Sequence, residues 1–359
     1  MAGKFLNGLV VGCALALAAP AMAATPPEAT YREIKDWIVG CDNLHACKAK
    51  AAPDELLSDR NDVSGGYLAI TREPGPQGAL VVSTEGEGDY KPGRMQLDGK
   101  PLSAPWKEGP DDSFVLRGDD AARFIQTIRS GKALTFEAGE GVSLSGLTAA
   151  LLVMDEAQGR LGNETALVRK GTAPAATVPA AKAAPIIVSR PSSEPLPNAQ
   201  AFAAAVRRTH AKALEANACD ATRAQYDEAY PLNHAEALVV LACGMGAYQG
   251  WDIAFRAPRA DPARARLLIL PTLPQLDAKA RNTGAYTEGE WDPKRAQFGE
   301  VGKGRGLADC GESVTWAFDG SEFHLSHLYW QERCAGGPPG DWLTLWRADV
   351  RPNGVKLPE

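Results

Sequence analysis

The sequence predicts two different folds in tandem: an α+β N-terminal domain over residues 24–170 and a mostly antiparallel β C-terminal domain over 199–359 that opens with one helix. Three observations predict this. Between Gly171 and Ala199, 14 of 29 residues are Ala or Pro. Proline lacks a donor and restricts its predecessor, so residues 171–198 are expected to form a semi-extended tether. Before the tether, short β-branched runs are punctuated by two apolar helical stripes; after it, aromatic and branched runs follow one another with Gly, Pro and Asp between them. A chain of 359 residues is long enough for two cores.

Residues 1–23 are expected to be a signal peptide, with Lys4 as the basic start, Phe5 to Pro20 apolar, and Ala21-Met22-Ala23 preceding cleavage before Ala24. The rival reading, a lipoprotein box at Val10-Val11-Gly12-Cys13, leaves only about eight apolar residues ahead of Cys13. No later run approaches the ~18 consecutive apolar residues of a membrane-spanning helix. The chain is therefore expected to be periplasmic or secreted and not membrane-spanning. Its 38 Lys+Arg against 44 Asp+Glu give a net charge of −6, which offers nothing to grip a polyphosphate backbone, so nucleic acid is excluded as a partner.

In the first domain, Tyr67 to Thr71, Leu80 to Ser83 and Met95 to Gly99 read as strands. Asp119 or Asp120 is expected to cap a helix with Phe124, Ile125 and Ile128 on one face, stopped at Gly131. Ala133 to Glu137 returns as a strand. A second helix, capped by Ser143 or Ser145, carries Leu147, Ala150, Leu151 and Met154 and ends at Gly159. Glu156 and Arg160 are spaced to pair on it. Within the tether, Ile186-Ile187-Val188 is expected to dock on a domain.

The second domain opens with a helix over Ala199 to Ala216, carrying Phe202, Val206 and Leu214. Strands are predicted at Ala237 to Ala242, Trp251 to Arg256, Leu267 to Leu270, Gln297 to Val301, Val314 to Phe318, Glu322 to Tyr329 and Trp342 to Trp346. Asp319-Gly320 predicts a two-residue hairpin turn that sets Phe318 opposite Ser321, Trp316 opposite Phe323 and Val314 opposite Leu325 on a core face.

Six cysteines remain after Cys13 leaves with the leader, and an even count in an exported chain reads as disulfides. Six allow 15 connectivities. Proximity in sequence favours Cys41 with Cys47, Cys219 with Cys243, and Cys310 with Cys334. A metal site at Cys41, His45 and Cys47 fits no zinc spacing. His324 and His327 lie three apart on a predicted strand, so they point to opposite faces unless a bulge intervenes. His45, His210 and His234 stand alone. Asp59 to Gly65 imitates a calcium loop, but Val63 and Ser64 occupy the wrong positions. Gly302-x-Gly304-x-Gly306 has the wrong spacing for a dinucleotide and reads as a turn. No catalytic motif, metal site or cofactor is predicted.

The remaining candidates are binding residues. Arg305, Asp309, Glu312 and Trp330 would form a polar and aromatic site beside Cys310. Six of the eight tryptophans fall in the second domain, and an exposed row of them would stack on sugars or peptides. Burial in a β-rich core explains the same positions without a ligand.

Several segments resemble a known family. Trp37-Ile38-Val39-Gly40-Cys41-Asp42-Asn43 with Cys47 resembles the opening of the exported bacterial family called domain of unknown function 1176. Val142 to Leu151, running through Met154-Asp155-Glu156 to Gln158-Gly159-Arg160, looks like its central segment. Lys303-Gly304-Arg305-Gly306, Asp309-Cys310-Gly311, Trp316, Asp319-Gly320, Phe323 and Cys334 look like its C-terminal pattern. The first domain is also similar to the invasion-associated locus B proteins through its Trp-x-x-x-Cys opening and Ser-Leu-x-Gly helix start, although Leu147 stands where those proteins carry an aromatic. Neither resemblance supplies a catalytic residue. The expectation is a non-catalytic binding protein meeting an unidentified envelope or host component; the alternative is an envelope hydrolase using acidic residues of the second domain.

Overall fold

Strand-forming runs dominate this chain, and the computed structural model accordingly consists mostly of antiparallel sheet with few helices. It describes residues 29–52, 66–85, 91–136, 141–273, 283–334 and 336–356. The predicted signal peptide and the calcium-like loop Asp59 to Gly65 lie outside these residues.

In the N-terminal half, β1 (Thr30–Ile34), β2 (Trp37–Cys41), β3 (Cys47–Ala51), β4 (Tyr67–Arg72) and β5 (Leu80–Glu85) form an antiparallel meander. A small hairpin, β6 (Gln96–Leu97) and β7 (Lys100–Pro101), belongs to a second sheet. The chain then returns through β8 (Lys107–Glu108) and β9 (Phe114–Arg117) to complete a seven-stranded sheet of order β1-β2-β3-β4-β5-β9-β8. Helix α1 (Gly118–Ile128) follows, then β10 (Ala133–Thr135), β11 (Gly141–Ser143) and helix α2 (Leu147–Ala157). Alternation places Trp37, Val39, Ala49, Leu68, Ile70 and Val82 on the face the helices cover, where they pack on Phe124, Ile125, Ile128, Leu147, Leu151 and Met154.

The expected helix caps are corrected. Asp119 and Asp120 sit inside the first turn of α1, which has no side-chain cap, where their charge suits the helix dipole. Gly146 precedes α2 with φ 101°, and its Cβ position is occupied by the Ile34 carbonyl, so a left-handed glycine replaces the predicted serine cap. Ser143 instead donates to Asp36 Oδ2 at 2.6 Å. Arg160 does not reach Glu156. It is fully buried and donates to Gln158 Oε1 (2.9 Å), Thr165 Oγ1 (2.7 Å) and the Gly75 carbonyl (2.6 Å).

The Ala/Pro-rich stretch is anchored at both ends. Near its start Val178 is buried and Pro179 packs against Gly159 of the N-terminal half. At its other end, β12 (Ile186–Ile187) docks as expected, pairing in parallel with the last strand of the chain.

The C-terminal half begins with α3 (Ala199–Thr209) and α4 (Ala211–Ala216), so the single predicted helix is broken at His210. That ring sits 2.8 Å from the Ala265 carbonyl and packs edge-on to Phe255, contacts that draw the backbone out of helical register. β13 (Glu228–Pro231), β14 (Glu236–Met245), β15 (Gly250–Pro258) and β16 (Arg266–Leu267), with β17 (Ala285–Thr287) also paired to β15, form one antiparallel sheet. A second runs in order through β18 (Glu290–Asp292), β19 (Gln297–Lys303), β20 (Gly311–Phe318), β21 (Phe323–Gln331) and β22 (Leu343–Arg347), and β23 (Asp349–Val350) receives β12. Leu238, Val240, Phe298, Val314, Trp316, Phe318 and Leu328 share the core between these sheets.

The hairpin register is corrected by two residues: Phe318 faces Phe323, Trp316 faces Leu325 and Val314 faces Leu328. Asp319 Oδ1 accepts from the Ser321 and Glu322 amides, both at 2.8 Å, and this Asx-type loop is longer than the predicted two-residue turn. A shift of two preserves the face, so the predicted aromatic side is still core. A bulge at Ser326 supplies the remaining offset.

Candidate functional site

All three expected disulfides are formed, Cys41–Cys47, Cys219–Cys243 and Cys310–Cys334, a pattern compatible with an exported protein. The last of these lies beside an apolar groove of the C-terminal half. On the outer face of the β19–β20–β21 sheet, register places Val301, Ser313 and Tyr329 in one row. Beyond the strand ends the loop 304–310 folds back beside this row. Arg305 grips Asp309 with two hydrogen bonds of 2.7 and 2.5 Å, and the Gly336 amide donates to the same carboxylate at 2.7 Å. Burial would raise the Asp309 pKa, but these donors outweigh it and hold the carboxyl below its ordinary value. The Ala308 carbonyl accepts from Gly340 (2.8 Å) and from the Trp342 indole (3.0 Å). The result is a groove of about 570 Å³ lined by Val301, Lys303, Leu307, Ser313, Tyr329 and Trp342. Leu307 is 65% exposed, Val301 39% and Tyr329 37%.

The predicted binding residues separate. Arg305 and Asp309 meet, and their pairing braces the loop. Glu312 faces Trp330 across the β20–β21 pair, and Trp330 packs half-buried against the core. None of the eight tryptophans is exposed: Trp37, Trp291, Trp316 and Trp342 are buried, and Trp106, Trp251, Trp330 and Trp346 are half-buried. Asp309 also lies with Cys310 and Cys334 in a grouping of metal-ligand spacing. Both sulfurs there are consumed in the disulfide, leaving one carboxylate already paired with Arg305.

The histidine geometry differs from expectation. The Ser326 bulge puts His324 opposite Ala317 and His327 opposite Thr315, which are two apart on β20, so the two rings fall on one side. His324 Nε2 lies 2.7 Å from Asp319 Oδ2, while burial lowers the pKa of His327. At Cys41 and Cys47 the disulfide uses the thiols of the proposed metal reading, and His45 occupies the turn between them with φ 67°.

A polar contact between the two halves had no counterpart among the predicted sites. Cys47, Ala49 and Ala51 of β3 face the core, which turns Lys48 and Lys50 outward, toward Asp341. Lys50, 1% exposed, donates to the Asp341 carbonyl at 2.7 Å; Lys48 pairs with the Asp341 carboxylate, and the Tyr67 hydroxyl donates to it at 2.7 Å. Burial pushes the Lys50 pKa down to about 8 despite Asp341, and burial next to that carboxylate raises Tyr67 well above the ordinary phenol value. Nearby, Arg347 Nε lies 2.5 Å from Asp42 Oδ2, Asn43 exchanges two hydrogen bonds with the Arg347 backbone, and Arg333 pairs with Glu33 at 2.8 Å. Burial raises the Asp42 pKa, with Arg347 opposing it. The readable signal was Lys-Ala-Lys in strand alternation behind Cys47: two cations on the face opposite a core cysteine.

Among the described residues, no helix is long and apolar enough to cross a membrane. No solved structure matches the chain. It is 32% identical over 330 residues to the Escherichia coli (strain K12) protein named "Uncharacterized protein YpfG", covering 88% of this chain and 92% of that one. The profile described as "Protein of unknown function (DUF1176)" matches residues 31–349, from β1 through the start of β23. The Cys41–Cys47 turn, the Asp155–Arg160 segment and the braced loop at Cys310 all lie inside that match, and the chain belongs to the DUF1176 family.

Proposed function

We propose that this protein is an exported, two-domain, non-catalytic binding protein of the bacterial envelope or exterior, which meets an envelope or host component at the Val301–Leu307–Tyr329 groove. The observation that carries this reading is the concentration of exposed apolar side chains on a braced surface. Large exposed apolar residues gathered in one place mark interaction sites, whereas single ones are ordinary. Three such residues line this groove. Met245 and Tyr248 are exposed as well, and Tyr248 reaches Gly306 of the groove loop. A rigid sheet and a disulfide-tied loop reduce the ordering cost of binding. Lys303 adds a cation at the rim.

Asp309, an acidic residue of the C-terminal half, lends the hydrolase alternative little support. Asp309 is committed to Arg305 and the Gly336 amide, and a carboxylate held ionised and internally paired is a weak general acid. The test is site-specific photocrosslinking in intact cells, with the crosslinker at Leu307 or Tyr329 and, as control, at Lys100 on the other half. A discrete adduct at the groove positions, absent at Lys100, is expected. Equal labelling at all three positions, or none at the groove, would overturn the assignment. N-terminal sequencing of the exported protein is expected to begin at Ala24.

A further inference from the structure

Arg72 ends β4 in the N-terminal half and is 6% exposed. Its Nη1 donates to the Thr165 carbonyl at 2.8 Å, while its Nε is buried with no hydrogen-bond partner. Asp155 is the carboxylate that acts on it electrostatically, but both Asp155 oxygens already accept from the Leu167 and Val168 amides at 2.9 Å. The same carboxylate also serves buried Arg160, so two guanidinium groups share one negative charge. A charge out of water without a full partner is costly, and a bound anion is one way to supply that partner.

Arg72 lies in the wall of a groove of about 450 Å³ that also includes Arg117, Lys170, Thr165 and Gln126. The N-terminal turn of α1 opens onto it through Gly118 and Asp119, and that 11-residue helix has no side-chain cap. Its first amides and the positive end of its dipole suit an anion. Asp119 and Glu164 are the carboxylates of the lining, and Glu164 is engaged by the Ala175 amide at 2.8 Å. Asp120 of the same turn is paired with Arg123.

We infer that this groove is a phosphate-binding site, with Arg72 as the buried anchor and Arg117, Lys170 and the first amides of α1 completing the shell. A tetrahedral phosphate accepts hydrogen bonds in several directions, so a guanidinium and backbone amides lining one groove can share it. The site stands apart from the groove of the C-terminal half and does not depend on that reading.

Calorimetric titration of the full mature chain with inorganic phosphate, at constant ionic strength set by chloride, tests the inference. Saturable binding in the millimolar range or tighter is expected, together with a rise in Tm on adding phosphate. The double variant Arg117→Ala/Lys170→Ala changes exposed side chains and should keep the circular dichroism of the parent while binding at least tenfold more weakly. Arg72→Gln should abolish binding. Cosedimentation with phosphatidylglycerol vesicles separates two sources: binding to phosphate and vesicles assigns a lipid headgroup, and binding to phosphate alone assigns a soluble phosphate compound. No saturable phosphate binding, or full affinity in the double variant, would overturn the site.

Discussion

Lys50 shows how one strand position ties burial to pH. In the native chain it releases its proton at about 8, whereas in an unfolded chain it does so near 10.5. Below pH 8 both states hold the proton, and the buried charge weighs fully against folding. Between about 8 and 10.5 the unfolded state keeps a proton that the native state has released, so stability rises with pH, by up to about 3 kcal/mol. Tyr67 acts in the opposite sense above pH 10, because its hydroxyl ionises only in the unfolded chain there. Urea midpoints measured from pH 7 to 9.7 should therefore climb in the parent and stay flat for Lys50→Met. Asp341→Asn should cost about 3 kcal/mol at pH 7, by stranding the Lys50 charge, and less at pH 10, where Lys50 is neutral. An equal cost at both pH values would sink this account. The alternation of Lys48 and Lys50 behind Cys47 was legible in sequence, but their partner was not, since Lys50 and Asp341 are 291 residues apart.

Elements were legible where a local pattern decides them. Both helices of the N-terminal half and the long strands of the C-terminal half fall at the predicted places, because apolar periodicity and Gly/Pro punctuation act over a few residues. Strands β1 to β3 were not among the predicted strands: Lys48-Ala49-Lys50-Ala51 is poor in branched residues and earns its place through neighbours on both sides. The caps failed for a related reason, since Gly146 is required by the close approach of Ile34. Cysteine pairing succeeded because each pair closes a short loop. Cys310–Cys334 spans 24 residues, and chain entropy assigns such a loop about 3.5 kcal/mol. Removing it with Cys310→Ala/Cys334→Ala should lower stability by about 3 kcal/mol and loosen the Gly306–Ala308 side of the groove, so crosslinking at Leu307 should fall more than at Tyr329, which a sheet holds. An equal fall at both positions would mean that the disulfide does not organise the loop.

At the scale of the whole molecule, the Ala/Pro composition marks a connection but conceals how little of it is free. Pro179 packs beside Gly159 and Ala181 beside Gly75, and β12 pairs with β23 while the Asp349 and Arg351 amides donate to Pro185 and Ile187. Exposed residues without regular structure lie near 180–184 and again at 193–195, but in the second stretch Arg259 holds Glu194 and the Pro195 carbonyl. Composition cannot report docking, because the partner surfaces come from residues far along the chain. The halves also meet directly, through Asp341 with Lys48 and Lys50, Arg347 with Asp42, Arg333 with Glu33, and the apolar contact of Ile38, Ala52 and Leu343. Brief proteolysis should therefore cut near 180–184, where exposed chain admits a protease, and the two fragments should still elute together on size exclusion. Asp341→Asn, by removing the carboxylate that three side chains share, should let the nicked fragments separate at moderate salt, each melting cooperatively if it is a domain in its own right. First cleavage elsewhere would count against the 180–184 span as the exposed joint. Fragments that separate as readily in the parent as in Asp341→Asn would deny the clasp its role, and fragments that lose cooperative melting would make the two halves one folding unit.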